Sequence, residues 1–201
     1  MRRRNWLVLA FAAASLPGVC WAKTYTVDPD HSSVTFRVRH LFTEVEGRFR
    51  QFKGTIVFDP ATPETAKVQG TIAPTSVDTD VKQRDDDLRS SNFFDVAKFP
   101  EMSFESTQIT DVNKADNSGK VHGNLTMHGV TKPVVLDAKF NGEAKDPWGN
   151  NKAGFHAEGK IDRRDWGLSW NKALEAGNVL VGNDVTIRID AETTVGEEAP
   201  K

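Results

Sequence analysis

Apolar and polar residues alternate with period two along most of the chain, the pattern of β-strands that bury one face. Within residues 31–40, Val34, Phe36 and Val38 share one face while Ser33, Thr35, Arg37 and Arg39 take the other. Phe52, Gly54, Ile56 and Phe58 repeat the pattern, and Val68, Gly70 and Ile72 follow after a turn marked by Asp59-Pro60 and Pro63. Val121, Gly123, Leu125 and Met127 oppose Lys120, His122, Asn124 and Thr126, and Val134, Leu136, Ala138 and Phe140 answer them across a short loop at Gly129, which reads as a hairpin. Near the C-terminus Val185, Ile187, Ile189 and Ala191 alternate with charged and hydroxyl residues. With weaker segments near 45–50, 102–109 and 153–162, the pattern predicts an all-β protein of about eight or nine antiparallel strands.

Strands with one apolar face must hide it, by closing into a barrel or by stacking two sheets. A closed barrel is expected. Its inward positions include Gly54, Gly70, Gly123, Ala138, Ala157 and Gly159, which thins the filling and points to a cavity, although small residues also ease strand bends or admit a helix. One segment breaks the alternation: over residues 80–91, Val81, Arg84, Asp85 and Leu88 share a helical face, with Asp80 as the expected N-cap. This short helix near a barrel end turns Arg84 and Asp85 inward, either as an internal ion pair or as a polar gate. Residues 146–151 and 116–119 read as turns, and 196–201 as a frayed tail.

The first 22 residues follow a different logic. Arg2, Arg3 and Arg4 precede an apolar run from Trp6 to Leu16, too short to span a bilayer, and Pro17-Gly18 breaks it before Cys20-Trp21-Ala22. This is the layout of a signal peptide cleaved after Ala22, and Arg3-Arg4 leaves the general secretory and twin-arginine routes both open. The full chain of 201 residues carries 26 basic and 28 acidic residues, a net charge of -2. Loss of the leader removes three arginines and the only cysteine, leaving a more acidic, cysteine-free domain over residues 23–195 suited to the oxidising periplasm. Without a basic excess, nucleic acid is not an expected partner.

Candidate chemistry is sparse. There is no H-E-x-x-H pair, no G-x-S-x-G elbow and no phosphate-binding glycine loop, and 84–87 lacks the alternate ligands and glycine of a calcium loop. No metal site and no catalytic residue is expected. By parity His122, His128 and His156 face solvent, His31 caps a turn, and His40 points inward with Val34, Phe36 and Val38. Trp166, Leu168 and Trp170 are expected to close one end of the core.

Several motifs recur in order through nearly all of residues 25–167: Tyr25-Thr26-Val27-Asp28-Pro29-Asp30-His31-Ser32, Val38-Arg39-His40-Leu41, Phe52-Lys53-Gly54 with Phe58-Asp59, and Arg84-Asp85 with Leu88-Arg89-Ser90. Asn92-Phe93-Phe94-Asp95, Phe99-Pro100, the run from Leu125 to Pro133, and Arg163-Arg164-Asp165-Trp166-Gly167 continue the series. Together they resemble the YceI-like family of periplasmic lipid-binding proteins. The chain departs from the family pattern at Asp87, where a histidine is common, and at Phe42, where a glycine is. The resemblance implies a lipocalin-like barrel holding an isoprenoid or similar long-chain amphipathic lipid, quinone-like ligands included, without catalysis and with no other cofactor.

On that reading the candidate apolar lining is Val34, Phe36, Val38, Ile56, Phe58, Leu125, Val134, Leu136, Phe155, Val185 and Ile187, and the candidate polar mouth is His40, Arg84, Asp85 and Arg89. Expected partners are the lipid and, transiently, a membrane surface, with the protein a monomer or homodimer. Two other classes stay open: a lipid-modifying enzyme using His40 and Asp85, and a surface interaction module with a filled core that uses its tryptophan loops.

Overall fold

A computed structural model describes residues 22–173 and 179–196. Residues 1–21 of the expected leader, and all but the first residue of the expected tail, lie outside the described residues. Eleven antiparallel strands form one sheet: β1 (Lys23–Val27), β2 (Ser33–His40), β3 (Thr43–Phe49), β4 (Phe52–Phe58), β5 (Lys67–Ile72), β6 (Val77–Asp78), β7 (Met102–Asn113), β8 (Ser118–Met127), β9 (Val130–Lys145), β10 (Asn151–Asp162) and β11 (Val181–Val195), with one helix, α1 (Lys82–Arg89), between β6 and β7. Eight of them, β1-β4-β5-β7-β8-β9-β10-β11, close into a barrel because β1 pairs with both β4 and β11. The length of β11 makes this possible. Its C-terminal part pairs Thr193–Val195 with β1, while Val181 to Asp190 pair with β2, which carries β3 and β6 outward as an extra flap.

The long alternating strands take the faces their sequences predict. Val34, Met127, Val134, Leu136 and Ile161 are buried, while Arg37, Asn124, Asp137 and Lys160 are exposed. The β8–β9 hairpin turns through His128 and Gly129, both with positive φ (51° and 74°), the geometry that matches the twist of paired strands. That conformation redirects His128. Instead of facing solvent, its Nδ1 lies 3.0 Å from the Trp166 carbonyl oxygen and its ring packs 4.6 Å from Phe99. His122 and His156 are likewise half-buried, against Thr110 (2.8 Å) and Asp190 (2.7 Å).

Two core clusters result. The larger gathers Val34, Phe49, Val77, Phe94, Met102, Met127, Trp166 and Leu168 at the end where α1 packs through Leu88. The second, at the opposite end, combines fully buried Tyr25 with Phe58, Phe140 and Phe155, whose ring centroids stand 4.9 to 6.3 Å apart. Trp166 closes its end as expected, donating its indole N–H to the Leu125 carbonyl at 3.1 Å. Part of the expected thinning is corrected, because the Phe104 ring lies over Gly123 and the Leu136 side chain over Gly159. Those glycines make room for large cross-strand neighbours and add nothing to an empty interior.

The helix is shorter than 80–91 and begins differently. Asp80 has φ 62° and is no N-cap; Val81 holds that position in extended conformation, without a side-chain cap. The Asp85 carboxylate does not cap the helix but ties it to the segment before it, accepting from the Thr79 backbone N–H at 2.9 Å.

At the connection from β1 to β2, Asp28 caps a 3-10 turn (Pro29–His31) and binds Lys152 of β10 at 2.8 Å. The Lys152 ammonium first, and His31 next, hold the Asp28 carboxyl down at about 2 from the usual 3.8. A depressed acid stabilises the fold fully above its unfolded value and stops doing so as pH falls through the folded one. The Asp28 contribution is therefore expected to persist above about pH 4 and to fade toward pH 2. Lys152→Met should move the Asp28 carboxyl titration, followed by NMR, up toward the usual value; an unchanged midpoint would show that the lysine is not the cause.

Candidate functional site

The barrel interior contains two cavities, of about 660 and 230 Å3. The larger lies beneath α1, bounded by β2, the start of β11 and the 163–170 segment, and its size falls in the range of small-molecule sites. The smaller lies toward the Tyr25 end, walled by β4, β5, β8 and β9. Val34, Ile72, Met102 and Leu125 belong to both walls, so they form the partition between the two spaces.

Most of the expected apolar lining is in place. Val34, Phe36, Val38, Leu125, Val185 and Ile187 face the larger cavity, and Ile56, Phe58, Leu136 and Phe155 the smaller. Val134 does not: it points inward but is packed within the core cluster and reaches neither space. Alternation assigns the face of the strand and says nothing of how close the opposite wall stands.

The polar positions divide in the same way. His40, half-buried, and Arg84 line the larger cavity. Arg84 donates from Nε to the Thr79 hydroxyl and from Nη2 to the Thr79 carbonyl, both at 2.7 Å. Asp85 is buried and accepts from the same hydroxyl at 2.5 Å, so the anticipated Arg84–Asp85 ion pair is replaced by two links through Thr79. Asp85 lies outside both linings, and so does Arg89, whose guanidinium bonds the Thr75 and Val77 carbonyls at 2.8 and 2.6 Å. Both residues fasten α1 to the β6 region. Neither forms a polar mouth, and Asp85 does not join His40 at a common surface.

The larger cavity also has walls that periodicity did not reveal. Phe93 and Trp170, 5.3 Å apart, and buried Arg163 line it from segments outside the long strands. The inward-facing arginine follows from a local turn: Asp162 caps the 3-10 turn Arg163–Trp166 by accepting from the Arg164 N–H, and also binds the Arg164 side chain, leaving Arg163 to face the interior. Burial pushes the Arg163 pKa down from its ordinary value. Elsewhere, Asp28, His31 and Glu192 bring potential ligand atoms within 4.8 Å of one another, but the Lys152 ammonium already stands 2.8 Å from Asp28 and 3.4 Å from Glu192. That cluster has its cation.

A barrel of eight strands with a largely apolar, cavity-bearing interior, flanked by a flap and one helix, finds its match in one family model. Residues 25–193 match the model of the YceI-like domain. The chain belongs to the YceI-like family. The Protein YceI of Salmonella arizonae is 44% identical over 168 residues, covering 81% of this chain and 86% of that protein. Among solved structures, the Campylobacter jejuni YceI protein superposes with a TM-score of 0.67 at 34% identity, over 79% of this chain and 90% of that one. A domain from Saccharophagus degradans, described as polyisoprenoid-binding and implicated in plant cell wall breakdown, shares the fold with a TM-score of 0.59 at 16% identity, over 86% and 98% of the two chains. Among the described residues of this YceI-like protein, no helix is long and apolar enough to cross a membrane.

Proposed function

We propose that this YceI-like protein is a periplasmic carrier that holds an isoprenoid or similar long-chain lipid inside its barrel and does no chemistry on it. The observation that carries this reading is the interior itself: two apolar-lined spaces that share Val34, Ile72, Met102 and Leu125 as wall, in a fold that otherwise packs its core closely. Void of that size forfeits dispersion and hydrophobic contacts, so an apolar occupant stabilises the protein that holds it. The polyisoprenoid-binding description of the Saccharophagus degradans domain, which has the same fold, supports a ligand of this class.

Energetics favour carriage. A long isoprenoid tail is already sheltered in a bilayer, so its transfer to the barrel exchanges one apolar surrounding for another, and net affinity rests on shape, ordering and polar contacts. Such an exchange is readily reversible. The sequence pattern of residues 1–22 as an export leader supports a periplasmic location.

Purification from the native envelope followed by organic extraction and mass spectrometry is expected to recover a stoichiometric long-chain lipid. Recovery of none, from protein that also fails to take up isoprenoid from vesicles, would overturn the carrier reading.

A further inference from the structure

Arg163 is an anomaly in this interior. It is 4% exposed and lines the larger cavity. Its Nε donates to the Gly182 carbonyl at 2.9 Å and its Nη1 to the Leu168 carbonyl, but its Nη2 is buried and has no hydrogen-bond partner. It makes no ion pair among the described residues. The nearest carboxylate in sequence, Asp162, is taken by the backbone and side chain of Arg164. The Asp162 charge favours the Arg163 cation without touching it, but burial outweighs that help, and an unmet donor on a buried cation adds to the cost.

The remainder of the wall does not relieve it. The other charged groups lining the cavity are Arg84 and Asp87; Arg84 is engaged with Thr79, and Asp87 accepts from the Asn92 side-chain amide at 2.7 Å. The larger cavity is thus lined by two guanidinium residues and one carboxylate, an excess of positive charge in an apolar space. The smaller cavity also has cations on its wall, Lys53, Lys114 and Lys139, but all three are exposed, so none is a desolvated charge left without a partner.

We propose that Arg163 anchors the head of the bound amphiphile in the larger cavity and selects a head that carries an anionic oxygen, carboxylate or phosphate. This deepens the carrier reading and rests on it. The tail then extends past Met102 and Leu125 toward the aromatic end. An arriving anionic oxygen supplies both the missing acceptor and a directly bonded counter-charge, while a neutral alcohol supplies only the first, so head chemistry sets the preference.

The test compares tail-matched probes on the delipidated full-length exported protein: farnesol, farnesoic acid, farnesyl phosphate and, without a tail, inorganic phosphate. Charge-assisted bonding at a buried site predicts that the two farnesyl anions bind about ten- to a hundredfold more tightly than farnesol. Arg163→Met should erase that preference while leaving farnesol binding in place, and Arg163→Lys should restore part of it. Equal binding of alcohol and anions by the unaltered protein, a comparison that needs no variant to fold, would overturn the inference and leave the carrier reading standing. So would a preference that survives in a folded Arg163→Met protein. Binding of no farnesyl probe would overturn both, and inorganic phosphate binding as tightly as farnesyl phosphate would show a free-anion site instead of a lipid head site.

Discussion

Trp166→Ala is expected to lower stability by about 3–5 kcal/mol, the range for removing a large aromatic from a packed core. Trp166 is 1% exposed, belongs to the main cluster with Leu168, Met127 and Val134, and ties the 163–166 turn to β8 through its indole N–H on the Leu125 carbonyl. The substitution leaves a void and strips that carbonyl of its indole partner. For a domain of this size the loss corresponds to a fall of roughly 6–20 °C in Tm, readable by thermal unfolding. Trp148, 85% exposed at the tip of the β9–β10 loop, is the matched control: Trp148→Ala should change stability by no more than about 0.5 kcal/mol. Similar shifts for the two variants would refute the assignment of Trp166 as the plug of that end.

The second large effect concerns the cavity. Val38 of β2 and Val185 of β11 are cross-strand partners and both face the larger space. Replacing both with Trp directs new ring volume into empty space and away from packed core, so the fold should survive where overpacking a filled site would not. Lipid uptake from vesicles is expected to fall at least about tenfold, equivalent to ~1.4 kcal/mol of binding free energy. Retention of full lipid occupancy in the folded double variant would place the ligand elsewhere than beneath α1. The measurement is also independent of Arg163, since it tests where the lipid sits and not what head it carries.

What could be read from the chain differed sharply between local and non-local features. β2, β4, β8, β9 and β11 are long enough for alternation to mark their inward faces, and Val34, Phe36, Leu125 and Ile187 sit where parity puts them. β1 and β6 were not legible, because five and two residues cannot display a period with any force. Yet β1 closes the barrel, joining Tyr25 to Val195, a pairing whose reason lies in neither segment alone. Parity failed for His128 because a turn with positive φ re-aimed it toward Trp166.

The site shows the same division. The helical spacing of Arg84, Asp85 and Leu88 was correct, but which of them met the cavity depended on Thr79 and on the carbonyls of Thr75 and Val77, contacts supplied by a neighbouring segment. Arg163 stood in a recognised motif with no sign that its third nitrogen would be buried without a partner.

Strand class, inward faces, the hairpin at Gly129 and the family are legible in the chain alone, because each is written in the order and spacing of nearby side chains. It took the assembled molecule to show that Gly123 and Gly159 are covered, that Val134 reaches neither cavity while Val185 lines one, and that the two cavities meet at Met102. Empty volume belongs to no residue. It is what is left when side chains from the closed ring, the β2–β3 flap, α1 and the 163–170 segment meet, and it is set by that assembly, which alternation along any one strand does not contain.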